Sequence, residues 1–364
     1  MTGTDLRAGG QRPAPVVRVP AVGGPVVGGP AVGVPAVGGP GVRVPARVRL
    51  AALPTPLTSA PRLASAVGAG ALYVKRDDLT GFAFAGNKAR PLEFLLAAAL
   101  AADADTLVTG GAAGSNFCAA TAAAARRAGL GCELVIAGSP GLPGAEGPAL
   151  ALAQSWGVEV RWTGVPERDS VDAGLPTAAA ELTAAGRRPY LIPRGGATGL
   201  GAVGYALALG ELREQLAACD VEAAQVVVAA GSGGTLAGLV AGNVLAGRPL
   251  RLAGASVSRP PEQTAARVLG LARECVALLS PGTDVGPQDV TVADARGPGH
   301  GLASAEGTAA AEQAMRTEGL MADPVYTAKA LALLSRYADG GTIIFWHTGG
   351  QLDVVAQATS GAGR

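Results

Sequence analysis

Lys88 closes a glycine-punctuated turn, Gly86-Asn87-Lys88, and a helical apolar pattern begins just beyond it near Pro91. A lysine held at a helix start lies close to the positive end of the helix dipole, which suits an amine that must lose its proton to react. Taken alone, a lysine in a turn is more often a solvated charge. The other reading, a nucleotide-binding phosphate loop, fails on its own residues. Gly81 and Gly86 have the right spacing, but Asn87 stands where the lysine belongs, and Ala89 offers no hydroxyl to a magnesium ion.

A second chemical feature is Gly231-Ser232-Gly233-Gly234-Thr235, which follows a strand-like run and opens a helix-like one. Glycines let backbone N–H groups close on a phosphate, and the two hydroxyls add donors at the helix start. Leu236 in the sixth position excludes the dinucleotide fingerprint, so a mononucleotide or a phosphorylated cofactor fits better. Four more loops carry polar groups: GGAAGSN at 110–116, GPGHG at 297–301, DPVYTAK at 323–329 and HTGGQ at 347–351.

These loops need a scaffold, and the chain alternates strand-like with helix-like runs from about Val48 onward. The clearest strands are Thr106–Thr109, Glu133–Ala137, Val158–Trp162, Tyr190–Pro193, Gln225–Ala230, Leu252–Val257 and Thr342–Trp346. Ala-rich helical stretches lie between them, among them Asn116–Ala128, Glu146–Trp156, Gly201–Ala217 and Leu236–Ala246. Continuous apolar strands separated by helices predict an α/β fold with parallel-rich open sheets covered on both faces, enough for two sheets. In such folds ligands gather at the carboxyl ends of the strands, where these loops lie.

The totals narrow the class. With 29 basic against 28 acidic residues, nothing marks nucleic acid or a charged membrane as a partner. No apolar run approaches the roughly 18 residues that a spanning helix requires. Cys118, Cys132, Cys219 and Cys275 form no CxxC pair, and with only His300 and His347 no zinc spacing can be assembled. Reduced, mostly buried thiols in a cytoplasmic protein are expected. Residues 1–48 differ from the rest: a Val-Gly-Pro repeat of five residues denies both helix and sheet, and predicts a disordered extension.

A reactive lysine, a phosphate cup and a Ser-Asn loop on one α/β scaffold point to pyridoxal phosphate. Here the sequence resembles the D-cysteine desulfhydrase and ACC (1-aminocyclopropane-1-carboxylate) deaminase family, with the fold type II architecture of tryptophan synthase β. The matching stretches are VKRDDLTG, GNKAR-LEFLL, Ser115-Asn116, IP-GG, LGAVGY, GSGGT-AGL, VSR, DPVYT-KA and HTGG, in order from Leu53 to Gln351.

The resemblance implies a larger cofactor-binding domain, 49–85 with 196–364, and a smaller α/β domain, 86–195. It also implies a homodimer acting on a small amino acid. Lys88 would be the Schiff-base lysine and shuttle the α-proton. Asn116 would bond the ring hydroxyl, and Gly231, Ser232, Gly233, Gly234 and Thr235 would hold the phosphate. Ser115 would receive the substrate carboxylate, Tyr326 would lie beside the substrate, and Thr327 would face the pyridine nitrogen. ACC-opening members carry Glu where this chain has Thr327. A hydroxyl leaves the ring nitrogen largely neutral and a weaker electron sink, which favours β-elimination.

Three departures fall on the substrate side. Gly114-Ser115-Asn116-Phe117 replaces QSNH or QSNQ, His300 replaces a tyrosine in GPGHG, and Arg194 occupies a place that is commonly apolar. His300 is either a proton-transfer group or a packing residue, and Arg194 either an anion contact or a surface charge. The expected reaction is conversion of a β-substituted amino acid, D-cysteine first, to pyruvate, ammonia and sulfide. The alternatives are ACC deamination, β-replacement or racemisation, a protein that binds the cofactor without turnover, and a nucleotide-binding module.

Overall fold

The computed structural model describes residues 41–141, 145–221 and 224–361. The Val-Gly-Pro repeat up to residue 40 lies outside them. Residues 41–48, assigned above to the extension, run along the body instead. The Arg43 N–H donates to the Leu279 carbonyl and the Val48 N–H to the Glu93 carbonyl, both at 2.8 Å. Val42 and Val44, just past the repeat, pack on the core.

Among the described residues the strands are β1 (Leu57–Ser59), β2 (Ala71–Arg76), β3 (Thr106–Gly111), β4 (Gly131–Ile136) and β5 (Glu159–Trp162). They continue with β6 (Pro189–Leu191), β7 (Gln225–Ala230), β8 (Arg251–Ser256), β9 (Val292–Asp294) and β10 (Thr342–His347). They form a six-stranded sheet, β1-β2-β10-β7-β8-β9, and a four-stranded sheet, β5-β4-β3-β6. Only the β1–β2 pairing is antiparallel. Of the strands outside the seven clearest runs, β1 and β9 have three residues each, too few to show a period.

Burial explains the strand sequences. In β7 and β10 alternate side chains feed opposite faces. Val226, Val228, Ile344 and Trp346 join helices Gly199–Ala217, Gly234–Leu245 and Pro261–Leu279. Val227, Ala229, Ile343 and Phe345 face helices Pro61–Val67, Ala305–Glu318 and Thr327–Leu331. A strand buried on both faces needs an unbroken apolar run, and QVVVAA supplies one. Each such Val or Ile contributes roughly 1.5–3 kcal/mol on leaving water. The smaller sheet is built alike, with Leu107 against helices Ala89–Ala101 and Asn116–Arg127, and Val108 and Val135 against helix Arg168–Ala184.

Parallel strands point their carboxyl ends one way, and the polar loops leave from those ends. Ser115 follows β3, Arg168 follows β5, Arg194 follows β6, and the 231–235 loop follows β7. Arg259, His300 and Thr348 follow β8, β9 and β10. No helix among the described residues is long and apolar enough to cross a membrane.

Candidate active site

All seven of these loops line one cavity of about 1200 Å³. Lys88 reaches it from a 3-10 turn, Gly86–Lys88, that runs straight into helix Ala89–Ala101. Gly86 sits at φ +52°, and a Cβ there would come within 2.5 Å of the Thr348 carbonyl oxygen. That close approach lets the Asn87 N–H donate to the same oxygen at 2.8 Å. The Asn87 side-chain amide then donates to Thr235 Oγ1 at 2.9 Å, tying the lysine turn to the glycine loop.

Behind the turn lies a buried ionic cluster. Asp77 accepts from Arg90 at 2.8 and 2.9 Å, from Tyr205 OH at 2.6 Å and from Trp346 Nε1 at 2.9 Å. Glu211 takes Arg90 and Lys75 as ion-pair partners. Burial alone would push the Asp77 carboxyl up, but the Arg90 guanidinium and Lys75 hold it down at about 2. Charges so enclosed persist only when each is matched, so the cluster fixes the base of the turn. Lys75, Arg76, Asp77 and Asp78 stand side by side within the VKRDDLTG stretch. Its partners Arg90 and Glu211 lie too far along the chain to be read from spacing.

Burial lowers the Lys88 amine to about 8, against the opposing pull of Asp323. A neutral amine is therefore accessible near physiological pH. Asp323 is fully engaged. Its Oδ1 accepts from the N–H groups of Val325 and Tyr326, and its Oδ2 from the N–H and hydroxyl of Thr327. It shapes the turn that carries Tyr326. The Tyr326 hydroxyl, raised to about 12 by burial and Asp323, keeps its proton and acts as a donor.

The glycine loop caps helix Gly234–Leu245, with Gly233 left-handed at φ +93°. Its carbonyls are braced from outside: Arg259 donates to Gly231 O at 2.9 Å and Arg267 to Ser232 O at 2.8 Å. Those bonds fix two of the loop's carbonyls, and the backbone N–H groups of a glycine turn at a helix start suit an anion.

The chain's relatives now bear on this arrangement. A family described as pyridoxal-phosphate dependent enzyme matches residues 48–349. The chain belongs to that family. A Yersinia enterocolitica D-cysteine desulfhydrase is 39% identical over 316 residues, 84% of this chain and 93% of that protein. A Pyrococcus abyssi protein provisionally named 1-aminocyclopropane-1-carboxylate deaminase is 37% identical over 311 residues, 84% of this chain and 91% of the other. A crystal structure of an ACC deaminase homologue superposes with a TM-score of 0.76 at 35% identity, covering 87% and 96% of the two chains. The fold is therefore the type II fold of pyridoxal-phosphate enzymes, as the resemblance implied.

The residues present fit that cofactor. The cavity offers an amine of lowered pKa and a glycine cup at a helix start. No cluster of three or more His, Cys, Asp or Glu able to hold a metal occurs among the described residues.

The structure brings Lys88, Ser115, Asn116, Gly231, Ser232, Gly233, Thr235, His300 and Tyr326 to the cavity wall. Gly234 and Thr327 are not on that wall. Gly234 is the first residue of the helix, and Thr327 is fully buried with its hydroxyl given to Asp323. Ser115 Oγ caps helix Asn116–Arg127 by accepting from the Cys118 N–H, so the hydroxyl proton remains free to donate. Phe117 packs into the core beneath the loop with 2% exposure, which explains the loss of a polar residue there. His300, lowered to about 4 first by burial and then by Arg168, is a neutral imidazole at physiological pH, edge-on to Tyr326 at 6.3 Å.

Sequence reasoning missed Asp353, Arg168 and Arg259 as cavity residues. Asp353, pushed up to about 6 by burial and Asp323, lies 3.5 Å from Asn116 Nδ2. Arg259 stood inside the recognised VSR stretch and Asp353 two residues beyond HTGGQ, whereas nothing near Arg168 carried a signal.

Proposed function

We propose that this enzyme is a lyase that removes the α-proton and the β-substituent of a small β-substituted amino acid, releasing ammonia and a 2-keto acid. D-cysteine is the first substrate to test, with pyruvate, ammonia and sulfide as products. The observation that carries the reading is the Lys88 amine, lowered to about 8 and tied through Asn87 to Thr235 of the phosphate cup.

Pyridoxal phosphate, when bound, supplies an electron sink for the charge left at the α-carbon. The 231–235 loop would hold its phosphate, and Asn116 its ring hydroxyl. Lys88 Nζ takes the α-proton in its neutral form. The Ser115 hydroxyl and the N–H groups at the start of helix Asn116–Arg127 receive the substrate carboxylate. Tyr326 keeps its proton and orients the substrate as a donor. His300, neutral and with Nδ1 unpartnered, accepts or donates a hydrogen bond but does not serve as a cation.

Elimination is preferred to ring opening because the 323–327 turn offers no free acid: Thr327 is buried with its hydroxyl given to Asp323, and Asp323 already accepts four hydrogen bonds. The reading includes a cytoplasmic homodimer with its domains divided as 49–85 plus 196–364 and 86–195. That part rests on the resemblance.

The test is a side-by-side assay of 2-keto-acid release from D-cysteine, L-cysteine, β-chloro-D-alanine, ACC and O-acetylserine, with the cofactor's absorbance followed in parallel. Keto acid and sulfide from a cysteine enantiomer support the proposal. Ring-opened product from ACC alone would replace it with deamination. A Lys88-dependent absorbance that no amino acid alters would leave a binding protein.

A further inference from the structure

Four arginines, Arg168, Arg194, Arg259 and Arg267, line the cavity. Two of them are accounted for, since Arg259 and Arg267 brace carbonyls of the phosphate loop. Arg168 and Arg194 are not. Arg194 comes from the turn after β6, with its side chain only 14% exposed and ion-paired to Asp172 and Asp169 at the mouth. Those carboxylates are 53% and 98% exposed, and Arg194 Nη1 is still buried without a partner. Arg168 starts helix Arg168–Ala184, and its guanidinium has no ion pair within 4 Å among the described residues.

Both line the cavity that His300 and Tyr326 also line. After burial, the charges pressing on His300 are all cations: Arg168, then Lys329, Arg259 and Arg194. Arg168 and Arg259 are themselves lowered from their usual values, each by burial and then by neighbouring arginines. Repulsion of this kind leaves Arg168 and Arg259 short of negative charge. An unpartnered buried N–H is costly to retain unless something bonds it in the working state. The second orphan nitrogen, His300 Nδ1, lies in the same region.

We propose that Arg168 and Arg194 form a second anion subsite, so that the preferred substrate is a small amino acid whose β-substituent carries its own negative charge, a sulfonate or a phosphate. This rests on the lyase reading above and names its substrate class. The guanidinium fork matches the oxygens of such a group, and a cationic pocket favours its departure as an anion. With a β-sulfonate, the α C–H breaks with its proton passing to Lys88 Nζ, and the Cβ–S bond breaks with its electron pair leaving on sulfite. The remaining aminoacrylate takes up water to give pyruvate and ammonium, so water is the sole co-reactant.

Holoenzyme titrated with both enantiomers of cysteine, cysteate, serine O-phosphate and aspartate tests this, reading the cofactor's absorbance change and keto-acid release together. Expected is a half-saturating concentration at least tenfold lower for cysteate or serine O-phosphate than for cysteine. Cysteate and serine O-phosphate tell sulfonate from phosphate, since sulfite or inorganic phosphate is released. Arg194→Met and Arg168→Met, each checked for bound cofactor, should each erase that preference. Cysteine binding as tightly as the anionic acids would overturn the subsite and leave the lyase standing. Variants that shed cofactor with no change in preference would also overturn it, by assigning these arginines to the cofactor phosphate. Tight anionic binding without keto acid from any substrate would keep the subsite and sink the elimination.

Discussion

Lys88 shows how far a single residue's chemistry depends on what encloses it. In a solvated turn its amine would be protonated well above physiological pH. Here burial lowers it to about 8, with Asp323 limiting the fall. The charged form is the one disfavoured, so the neutral amine gains as pH rises through that value. Covalent capture of added pyridoxal phosphate by cofactor-free protein should accelerate as pH climbs from about 6.5 and level off above about 9. Stopped-flow absorbance measures this directly, and a midpoint near the ordinary lysine value would mean that the amine is solvated. The residue type and its turn were readable from GNK alone. Its lowered pKa was not, because the cavity it reaches is lined by loops at 231, 323 and 348, far along the chain.

At the scale of elements, the site depends on tight approaches between loops that leave different strands. The Gly86 turn and the loop after β10 meet so closely that Thr348 O bonds the Asn87 N–H at 2.8 Å. An alanine at position 86 combines positive φ with a Cβ 2.5 Å from that oxygen. Gly86→Ala should therefore cost about 1–3 kcal/mol of stability and weaken cofactor retention roughly tenfold or more. Thermal melts and a cofactor-release assay check both, and a variant with unchanged retention would detach Lys88 positioning from this contact. The GSGGT loop was legible in sequence because glycines and hydroxyls before a helix have one dominant physical use. Thr327 was not legible in the same way. The resemblance implied a place facing the ring nitrogen; the fold buries the residue, with its hydroxyl given to Asp323. A side-chain hydrogen bond over four residues leaves no periodic trace.

At the scale of the whole molecule, two parallel-rich sheets aim the carboxyl ends of their strands into one cavity. Much of this was readable, since β3, β4, β7, β8 and β10 are largely apolar runs long enough to stand out between Ala-rich helices. What lay hidden were pairings between distant residues: Asp77 with Trp346, Arg90 with Glu211, and the arginines that ring His300. Such groups look like ordinary surface charges until the fold encloses them. The cofactor chemistry and the proposed elimination both require that Lys88, and no other amine, engages the cofactor. Borohydride reduction of the cofactor-loaded protein, followed by peptide mass mapping, tests this most directly. The account predicts a single pyridoxyl label on the peptide containing Lys88, absent in Lys88→Ala. A label on Lys75, Lys329 or the N-terminus instead, or retention of the label in the variant, would contradict it.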